Sequence, residues 1–359
     1  MPRILTQDLV PGMVTAEDVL TYTNQLILPK DFELTDKAIT KLEFYSILSV
    51  RIKDETADIV PESSETEGLT YSEKIKASAE YREFKKAFEI SVEEIRDFLN
   101  DFATKRNVTN LNKMLDEAMR LLKDNPSGIH IFDMLHNMRH YDDPTFAHSL
   151  NVALICYVFG KWLDFNDEQL NNLTLCGLLH DIGKLTIPEE ILAKPAKLTN
   201  AEYRVVQTHT VQGYNLIKEL NINEHVKNAV LMHHERCDGT GYPFGITAER
   251  IDRYAKIVSI ADVYDAMTSA RIYRGPLCPF EVISIFESEG LQKYDSEYIL
   301  TFLEYIVNTY VNNRVRLSNG LEGDIVMINR RDLSHPMVHC GDRYIDLSHE
   351  HGLSIEAII

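Results

Sequence analysis

The sequence contains few cysteines, no paired cysteine motif and no long apolar segment. Its five cysteines are scattered over 359 residues without a CxxC pair, which argues against a cysteine-based zinc site and is typical of a reducing compartment. No run of about 18 apolar residues occurs, so we expect no membrane-spanning helix and no membrane insertion. The first residues lack the apolar stretch of a signal peptide, and we therefore expect a cytoplasmic protein.

Positive charge is also scarce. Lysine and arginine total 37 against 55 aspartates and glutamates, which gives a formal net charge of -18. Such an acidic chain disfavours polymeric nucleic acid as a partner, because the phosphate backbone carries charge of the same sign. A small anionic ligand remains compatible with this charge if basic side chains cluster locally. No receiver domain or membrane sensor domain is evident, so the sequence does not identify the regulatory input, for which the N-terminal unit is the candidate.

Changes in composition along the chain predict four parts. Residues 1–52 combine short β-prone pieces with one helix, which indicates a small α+β unit. Residues 53–125 begin as an acidic, serine-rich linker and continue as a helical connector, through which we expect contacts for a homodimer. Residues 126–312 form a long helical block, and residues 313–359 form a small β-rich unit. The fold is therefore predicted to be mainly α.

The helical block and the tail have clear periodic patterns. In the block we predict helices over 144–163, 167–182, 188–192, 200–219, 223–235, 248–271, 279–288 and 294–312. In the tail we predict strands over 315–317, 324–328, 337–340, 343–347 and 354–358.

An adjacent histidine and aspartate, His180 and Asp181, close an apolar run of the block, with Gly183 and Lys184 just after them. We expect a buried helix that ends at Gly183. An unpaired buried carboxylate is unfavourable, and a divalent metal is a natural partner because imidazole and carboxylate both bind one. For this pair alone the structural alternative is that it caps carbonyl groups at the end of the helix.

Five further candidate ligands lie on apolar helices of the same block, and they are His148, His209, His233, His234 and Asp262. Each of them has an ordinary structural explanation when it is taken alone; Asp262, for example, could pair with an arginine. Seven imidazole and carboxylate groups without thiols suit iron, manganese, nickel or zinc. They are too many for one ion but enough for two, and two metals about 3.5–4 Å apart are a known device for displacement at phosphorus.

The order of these residues resembles the HD superfamily of metal-dependent phosphohydrolases, and more narrowly its HD-GYP branch. The resemblance covers residues 126–310 and is carried by His180-Asp181-Ile182-Gly183-Lys184, His233-His234-Glu235-Arg236, Asp238-Gly239-Thr240-Gly241-Tyr242-Pro243, Ala261-Asp262-Val263-Tyr264-Asp265-Ala266 and Arg271-Ile272-Tyr273-Arg274. It implies an all-helical HD-type domain. It also implies hydrolysis of cyclic di-GMP, a bacterial second messenger, to linear pGpG and often on to GMP.

The resemblance assigns a role to each candidate ligand. Asp181 would bridge two divalent metal ions, most often iron or manganese, and act in catalysis. One coordination sphere would be completed by His148, His180 and Asp262. The other would be completed by His209, His233 and His234. An activated water would then attack phosphorus in line with the leaving 3′ oxygen.

Further residues would act on the substrate. Lys184 would reach a phosphate oxygen, and Gly241 would shape a loop that places Tyr242 near a guanine or the ribose-phosphate. Arg271 and Arg274 lie three residues apart, and arginine suits bidentate contacts with phosphate or a guanine edge. The structural alternatives are a solvated lysine, a loop with no binding role and a solvated helix end.

The residue before the first ligand helix argues for two ions rather than three. Some members of the family bind a third ion through a glutamate one helical turn before the position of His148. Here that position is Pro144, which carries no ligand atom. Asp143 is expected to cap the helix that Pro144 starts, and Asp142 remains an alternative ligand in a distorted first turn.

Three functions follow from these residues. The leading one is a cyclic di-GMP phosphodiesterase. The second is a sensor that binds cyclic di-GMP without hydrolysing it, which the presence of all seven ligands disfavours. The third is an HD hydrolase for another nucleotide, either a linear one or cyclic GMP-AMP; the Gly241-Tyr242-Pro243 loop argues against linear mononucleotides only.

Overall fold

The chain divides into two compact units, residues 1–68 and 69–359. The structure is a computed structural model that describes residues 3–6, 9–10, 12–17, 19–20, 26–35, 38–39, 42, 49–53, 71–105, 110–123, 128–138, 144–194, 196–269, 276–350 and 352–359. The predicted four-part division is not resolved by these two units and stays a prediction. Each unit is described by itself.

The first unit contains two small antiparallel sheets around its own apolar core. Strand β1 (Arg3–Leu5) pairs with β4 (Ser49–Arg51), and β2 (Val19–Leu20) pairs with β3 (Leu26–Leu28). The core joins buried side chains from the strands and from the segments between them: Leu9, Met13, Val19, Leu28, Leu34, Ala38, Leu42, Val50 and Ile52. The β-prone pieces predicted for this unit agree with these strands, and of its predicted helix the structure describes only the helical residues Ala38, Ile39 and Leu42. The α+β character of the unit stays a prediction.

The second unit is mainly helical. Its first helices are α1 (Tyr71–Ala77), α2 (Ala79–Lys105), α3 (Asn110–Lys123), α4 (Gly128–Asn137), α5 (Pro144–Trp162) and α6 (Asp167–Leu179). Those that follow are α7 (Glu189–Leu192), α8 (Asn200–Gln207), α9 (His209–Ile217), α10 (Glu224–Met232), α11 (Arg253–Thr268), α12 (Pro279–Ile285), α13 (Leu291–Lys293) and α14 (Ser296–Asn308). Short 3-10 helices cover Ile182–Thr186 and Ala248–Arg250, and a π-helical turn covers Phe286–Gly290.

Helices α5 and α6 form the centre of this unit and pack closely along their length. A Cβ atom on Gly177 of α6 would lie 2.6 Å from the Ala153 Cα of α5, so glycine is required for the two backbones to approach this far. Helix α6 starts with a capping box between Asn166 and Gln169, which fixes its N-terminus. This close pair holds the ends of both helices in place beside the site described below.

The C-terminal strands form one antiparallel sheet of the order β8-β7-β6-β5-β9. The strands are β5 (Arg314–Leu317), β6 (Glu322–Met327), β7 (Met337–Cys340), β8 (Arg343–Asp346) and β9 (Ile355–Ile358). Buried side chains of the sheet such as Val315, Ile325 and Val338 join the core of the helices. The mainly α fold with a small β-rich C-terminal part is confirmed.

Several predicted helices are shorter than the pattern indicated. The segment 167–182 leaves the α-helix after Leu179, and the segment 200–219 is two helices separated at Thr208. Around that break, side chains replace helical hydrogen bonds: the Thr208 hydroxyl donates to the Val205 carbonyl at 2.6 Å and His209 Nδ1 lies 2.7 Å from the Val206 carbonyl. Among the described residues, no helix is both long and apolar enough to cross a membrane.

Candidate metal centre

Three of the candidate histidines lie where helices end. His180 follows the last residue of α6, and His233 follows the last residue of α10. His209 begins α9, and one residue separates it from the end of α8 at Gln207. Carbonyl groups at helix ends lack intrahelical partners. The three histidine rings supply those partners, and this arrangement turns the opposite edge of each ring toward a common centre.

The hydrogen bonds of these rings fix their tautomers. Nδ1 of His180 lies 2.7 Å from the Gly177 carbonyl, Nδ1 of His209 lies 2.7 Å from the Val206 carbonyl, and Nδ1 of His233 lies 3.1 Å from the Ala229 carbonyl. A carbonyl only accepts, so each Nδ1 must carry the proton and each neutral ring keeps a lone pair on Nε2. The Nε2 atoms of His209 and His233 are 3.3 Å apart. Two lone pairs that face each other at this distance repel, and a cation between or beside them would remove that repulsion.

Two aspartates complete the cluster. Oδ1 of Asp181 lies 3.3 Å from His209 Nε2, and its Oδ2 lies 3.2 Å from His180 Nε2. Oδ1 of Asp262 lies 3.0 Å from His148 Nε2. Ligand atoms within 4.8 Å of one another form two neighbouring groups, Asp181 with His209, His233 and His234, and His148 with His180 and Asp262. The structure thus brings all seven predicted ligands together, although they come from five separate helical segments.

The cluster fits a metal by its unsatisfied atoms as well as by its ligand types. Among the described residues, His180 Nε2 and Asp181 Oδ1 are buried and have no hydrogen-bond partner. Buried polar atoms without partners are rare because each costs free energy. Neutral imidazoles and carboxylates without a thiol form a ligand set suited to iron, manganese or zinc. The described residues therefore include a His/Asp cluster that could hold metal ions.

The charges in this cluster balance in a way that favours metal binding. Burial lowers the pKa of His209 and of His233, and it lowers the pKa of His234 to about 3. Burial alone would raise the pKa of Asp181, but Lys184 and His180 hold the pKa of this carboxyl well below its usual range. At neutral pH the imidazoles of His209, His233 and His234 are therefore neutral and the Asp181 carboxyl is ionised, which are the forms that bind metals.

Asp265 is a site residue that the sequence interpretation missed. Its Oδ2 lies 2.6 Å from His148 Nδ1, and its Oδ1 accepts a hydrogen bond from the Asn151 amide at 3.0 Å. Burial alone would lower the pKa of His148, but hydrogen bonds to Asp262 and Asp265 raise it to about 9. The carboxylate of Asp265 orients the ring of a candidate ligand from behind. The available signal was its position three residues after Asp262, on the same side of α11.

The loop that carries Tyr242 is anchored beside the ligands. The buried Glu235 carboxylate accepts hydrogen bonds from the backbone N–H groups of Phe244, at 2.7 Å, and Ile246, at 3.1 Å. The Tyr242 N–H donates to the His234 carbonyl at 3.2 Å, and the Tyr242 ring stacks on the His234 ring with centroids 4.6 Å apart. This contact places Tyr242 against a candidate metal ligand.

Two glycines allow close approach of backbone at the site. A Cβ atom on Gly183 would lie 1.8 Å from the His209 carbonyl oxygen, and one on Gly241 would lie 2.4 Å from the Glu235 Cα. Gly183 was expected to end the α6 helix, but it lies inside the 3-10 helix that follows. Its lack of a side chain serves the packing of this turn against the start of α9.

The structure describes some of the predicted substrate-binding residues and not others. Lys184 Nζ lies 2.5 Å from Asp181 Oδ2, so its ammonium group is at the cluster. Gly241 and Tyr242 are at the cluster as well, through the loop just described. Arg271 and Arg274 lie outside the described residues, as do Asp142 and Asp143. Helix α5 begins at Pro144, as predicted.

Comparison with known proteins identifies the family. A family model described as HD domain matches residues 106–298, more than half of the chain. The chain belongs to the HD domain family. The resemblance to HD-type phosphohydrolases stated from the sequence is thereby confirmed, and proteins of this family are metal-dependent, in agreement with the His/Asp cluster.

Relatives of this HD domain include enzymes for two cyclic dinucleotides. The chain is 34% identical to a cyclic di-GMP phosphodiesterase of Pseudomonas aeruginosa over 205 residues, 57% of this chain and 49% of that protein. It is 43% identical to 3'3'-cGAMP-specific phosphodiesterase 1 of Vibrio cholerae over 145 residues, 40% of this chain and 34% of that protein. The chain thus spans half or less of the length of these two relatives.

One solved structure shares the fold over most of the chain. It is an HDG"Y"P protein from Bdellovibrio bacteriovorus, with a TM-score of 0.54 and 16% sequence identity, covering 85% of this chain and 99% of that one. At this identity the similarity shows the fold alone.

Proposed function

We propose that the chain is a phosphodiesterase that hydrolyses cyclic di-GMP to pGpG, and further to GMP, with two divalent metal ions. The observation that carries the proposal is the pair of neutral histidines, His209 and His233, whose Nε2 lone pairs face each other at 3.3 Å beside the Asp181 carboxylate. The names of relatives that act on cyclic di-GMP support the choice of substrate.

The two groups of ligand atoms suggest how two ions would be shared. One ion would be held by His148, His180 and Asp262, and the other by His209, His233 and His234. Asp181 lies between the groups, with Oδ2 near His180 and Oδ1 near His209, so one carboxylate could bind both ions. Iron or manganese is the proposed metal, and the combination of imidazoles and carboxylates without thiols is compatible with either.

When bound, two ions would supply an activated water and neutralise charge that develops on the phosphoryl oxygens. The residues of the chain orient and shield this chemistry. Asp265 holds the ring of His148, and carbonyls of α6, α8 and α10 hold the rings of His180, His209 and His233. Lys184, at the edge of the cluster, is placed to contact a non-bridging phosphate oxygen, which would stabilise the transition state.

Substrate contacts beyond the phosphate come from two segments in this proposal. Tyr242 would contact a guanine or the ribose-phosphate, from the loop that Gly241 and Glu235 hold in place. Arg271 and Arg274 would bind the second phosphate or a guanine edge, since guanidinium groups make bidentate contacts with both. The role of these arginines is proposed from the sequence motif alone.

Cyclic GMP-AMP is the second candidate substrate. The observation that favours it is the 43% identity to a 3'3'-cGAMP-specific phosphodiesterase, and further relatives carry the same description. The two substrates differ in one purine base and have the same phosphodiester bonds. The metal centre would therefore act on either, and the choice depends on contacts to the bases.

The proposal extends to the setting of the enzyme. The acidic chain and the absence of disulfides among its five cysteines support a cytoplasmic protein that binds neither membrane nor polymeric nucleic acid. We expect the connector helices within residues 53–125 to provide a homodimer contact. The division into residues 1–52, 53–125, 126–312 and 313–359 is part of the same proposal.

A turnover assay with chromatography of the products tests the function. Protein loaded anaerobically with iron or manganese is incubated with cyclic di-GMP and, separately, with cyclic GMP-AMP. We expect pGpG or GMP from cyclic di-GMP, and at least about a thousandfold loss in Asp181→Asn, or roughly 4 kcal/mol of barrier. No product from either substrate with a fully loaded, folded protein would contradict the proposal; binding without product would indicate a sensor.

A further inference from the structure

We infer that Arg236 is a positioning residue that fixes His234 from outside the ligand cluster, and that Tyr294 holds Arg236 in place. The inference rests on the proposed metal centre and deepens it, because it names two residues on which the affinity for one of the two ions depends. Neither residue would contact the metal or the substrate. Both act through the backbone that carries His234.

The His234 ring differs from the other candidate histidines in how it is held. Those four each have Nδ1 hydrogen-bonded to a carbonyl or to a carboxylate, as described above. Within the part of the chain that the structure describes, the His234 ring makes no hydrogen bond. Oδ2 of Asp262 lies 3.8 Å from its Nδ1, which is beyond hydrogen-bond distance, and the ring stacks on Tyr242. The orientation of His234 therefore depends on this stack and on the backbone from which the ring projects.

Arg236 fixes that backbone at the point where α10 ends. The helix finishes at Met232, so the carbonyls just after it have no partner within the helix. Nη1 of Arg236 donates to the His233 carbonyl at 3.4 Å and to the Glu235 carbonyl at 3.1 Å. The His233 carbonyl belongs to the peptide bond that joins this residue to His234. One guanidinium group therefore holds the peptide plane that leads into His234 and another that follows it.

The Arg236 side chain is in turn held by Tyr294. Its Cζ atom lies 5.1 Å from the centroid of the Tyr294 ring, which is a cation–π contact. The Tyr294 ring is buried and packs edge-on against Phe286 of the π-helical turn, with centroids 5.5 Å apart. The Cys237 N–H donates to the Lys293 carbonyl at 2.8 Å, so the residues next to this pair are joined as well. Tyr294 thus gives the guanidinium group a fixed surface.

A second arginine makes the same kind of contact away from the ligands. Cζ of Arg253 lies 4.8 Å from the centroid of the Phe165 ring and 5.5 Å from that of Tyr254. Arg253 is the first residue of α11 and lies about two helical turns before Asp262. Its loss should therefore cost packing and leave the metal centre unchanged. This makes Arg253 the matched control for Arg236.

Stepwise metal binding tests the positioning role. Cobalt(II), which suits imidazole and carboxylate ligands, is titrated into the metal-free full chain. The absorption of the bound ions and competition with a chelator give the two affinities separately. Arg236→Met removes the guanidinium group, Tyr294→Leu removes the ring, and Tyr294→Phe keeps the ring; Arg253→Met is the control. Thermal melting of the metal-free variants reports folding, and turnover of cyclic di-GMP and cyclic GMP-AMP by the parent is assayed in parallel.

We expect a selective loss of one ion. Arg236→Met should bind one ion per chain as tightly as the parent and the other about tenfold more weakly, since partners that orient ligating histidines contribute about 10–100-fold. Tyr294→Leu should lose affinity for the same ion. The double variant should lose no more than Arg236→Met alone, because both substitutions remove one contact. Tyr294→Phe and Arg253→Met should bind both ions as the parent does.

The alternative outcomes separate this role from the proposed function. Unchanged affinities for both ions in folded Arg236→Met and Tyr294→Leu would overturn the inference, and so would an equal loss of both ions, which would indicate a general structural role. If Arg236→Met does not fold, Tyr294→Leu compared with Tyr294→Phe decides in the same way. A parent that binds two ions but hydrolyses neither nucleotide would overturn the hydrolytic function alone, and a selective loss in the variants would still support the positioning role. A parent that binds no metal would overturn both.

Discussion

The Nδ1 atom of His148 lies 2.6 Å from Oδ2 of Asp265, a residue 117 positions later in the chain. The other ring nitrogen of His148 faces Asp262, a candidate ligand in the same helix as Asp265. Helix α11 therefore supplies one carboxylate for the proposed metal and a second that orients the imidazole beside it. Carboxylates that hold a ligating histidine in this way also increase its basicity toward the metal.

Replacement of Asp265 by asparagine should weaken metal binding without unfolding the protein. The amide keeps one acceptor for His148 but loses the charge, and partners of ligating histidines typically contribute about 10–100-fold in metal affinity. Metal affinity is measured by competition with a chelator. Asp252→Asn is the matched control, because Asp252 holds His225 at 2.8 Å outside the cluster. Equal affinity in Asp265→Asn and the parent would show that Asp265 does not orient a metal ligand.

Glu235→Ala should loosen the loop that carries Tyr242. The buried carboxylate accepts two backbone N–H groups, and hydrogen bonds to a charged group contribute about 1.5–3 kcal/mol. We expect the free energy of unfolding to fall by about that amount and KM for cyclic di-GMP to rise, with metal content preserved. Glu235→Gln should have values between those of the parent and Glu235→Ala. The control Glu249→Ala, at an exposed glutamate, should change neither the free energy of unfolding nor KM. A normal KM in Glu235→Ala would show that the hydrogen bonds from the loop to Glu235 are not needed for substrate binding.

Arg271→Ala and Arg274→Ala should impair substrate handling and leave metal content intact. A lost charge-assisted contact costs about 1.5–3 kcal/mol, which corresponds to roughly a ten- to hundredfold loss of kcat/KM. Steady-state kinetics with cyclic di-GMP and metal analysis of the same preparations provide the test. Normal Michaelis parameters in both variants would show that neither arginine contributes to substrate binding.

The stability of chelator-treated protein should fall in mild acid because of His234. The pKa of His234 is about 3 in the folded protein, and an unperturbed histidine titrates near 6.5. The unfolded chain therefore binds the proton first, and the free energy of unfolding decreases as pH falls below about 6.5, down to about 3. Between pH 7 and pH 5 this group alone should contribute a loss of roughly 2 kcal/mol.

His148 acts in the opposite direction over another range. With a folded pKa of about 9, it stabilises fully below about 6.5 and loses this contribution as pH rises toward 9. Denaturant unfolding of the parent and of His234→Gln at pH 7 and pH 5 isolates the His234 effect, since His148 is common to both. Equal losses in the two proteins would show that His234 has an ordinary pKa.

Much of the site could be predicted from the sequence, because the ligands come in short segments with local chemistry. An imidazole and a carboxylate at the end of an apolar run, such as His180 and Asp181, need a partner wherever the helix lies. The role of Asp265 could not be predicted in the same way, because it depends on α5 packing against α11 across more than a hundred residues. Its spacing from Asp262 placed it on the right helix face but did not show what it faced.

The helix boundaries likewise depend on contacts that the sequence pattern does not reveal. The apolar pattern of residues 200–219 continues across Thr208 and predicts one helix. The break arises from side-chain hydrogen bonds of Thr208 and His209 to the preceding carbonyls, and periodicity does not report such bonds. For Gly183 the sequence predicted a helix end, whereas the tight contact with the His209 carbonyl depends on which segment packs against that turn.

The number of metal ions per chain tests the central claim most directly. Protein is loaded anaerobically with iron or manganese, freed of excess metal and analysed for metal and protein concentration, with Asp181→Asn prepared in parallel. Seven ligands shared through Asp181, and Pro144 at the start of α5 where a third ion would need a ligand, predict close to two ions per chain. Asp181→Asn should bind clearly fewer. A folded parent protein that retains no metal, or that reproducibly holds a third ion at this site, would contradict the account.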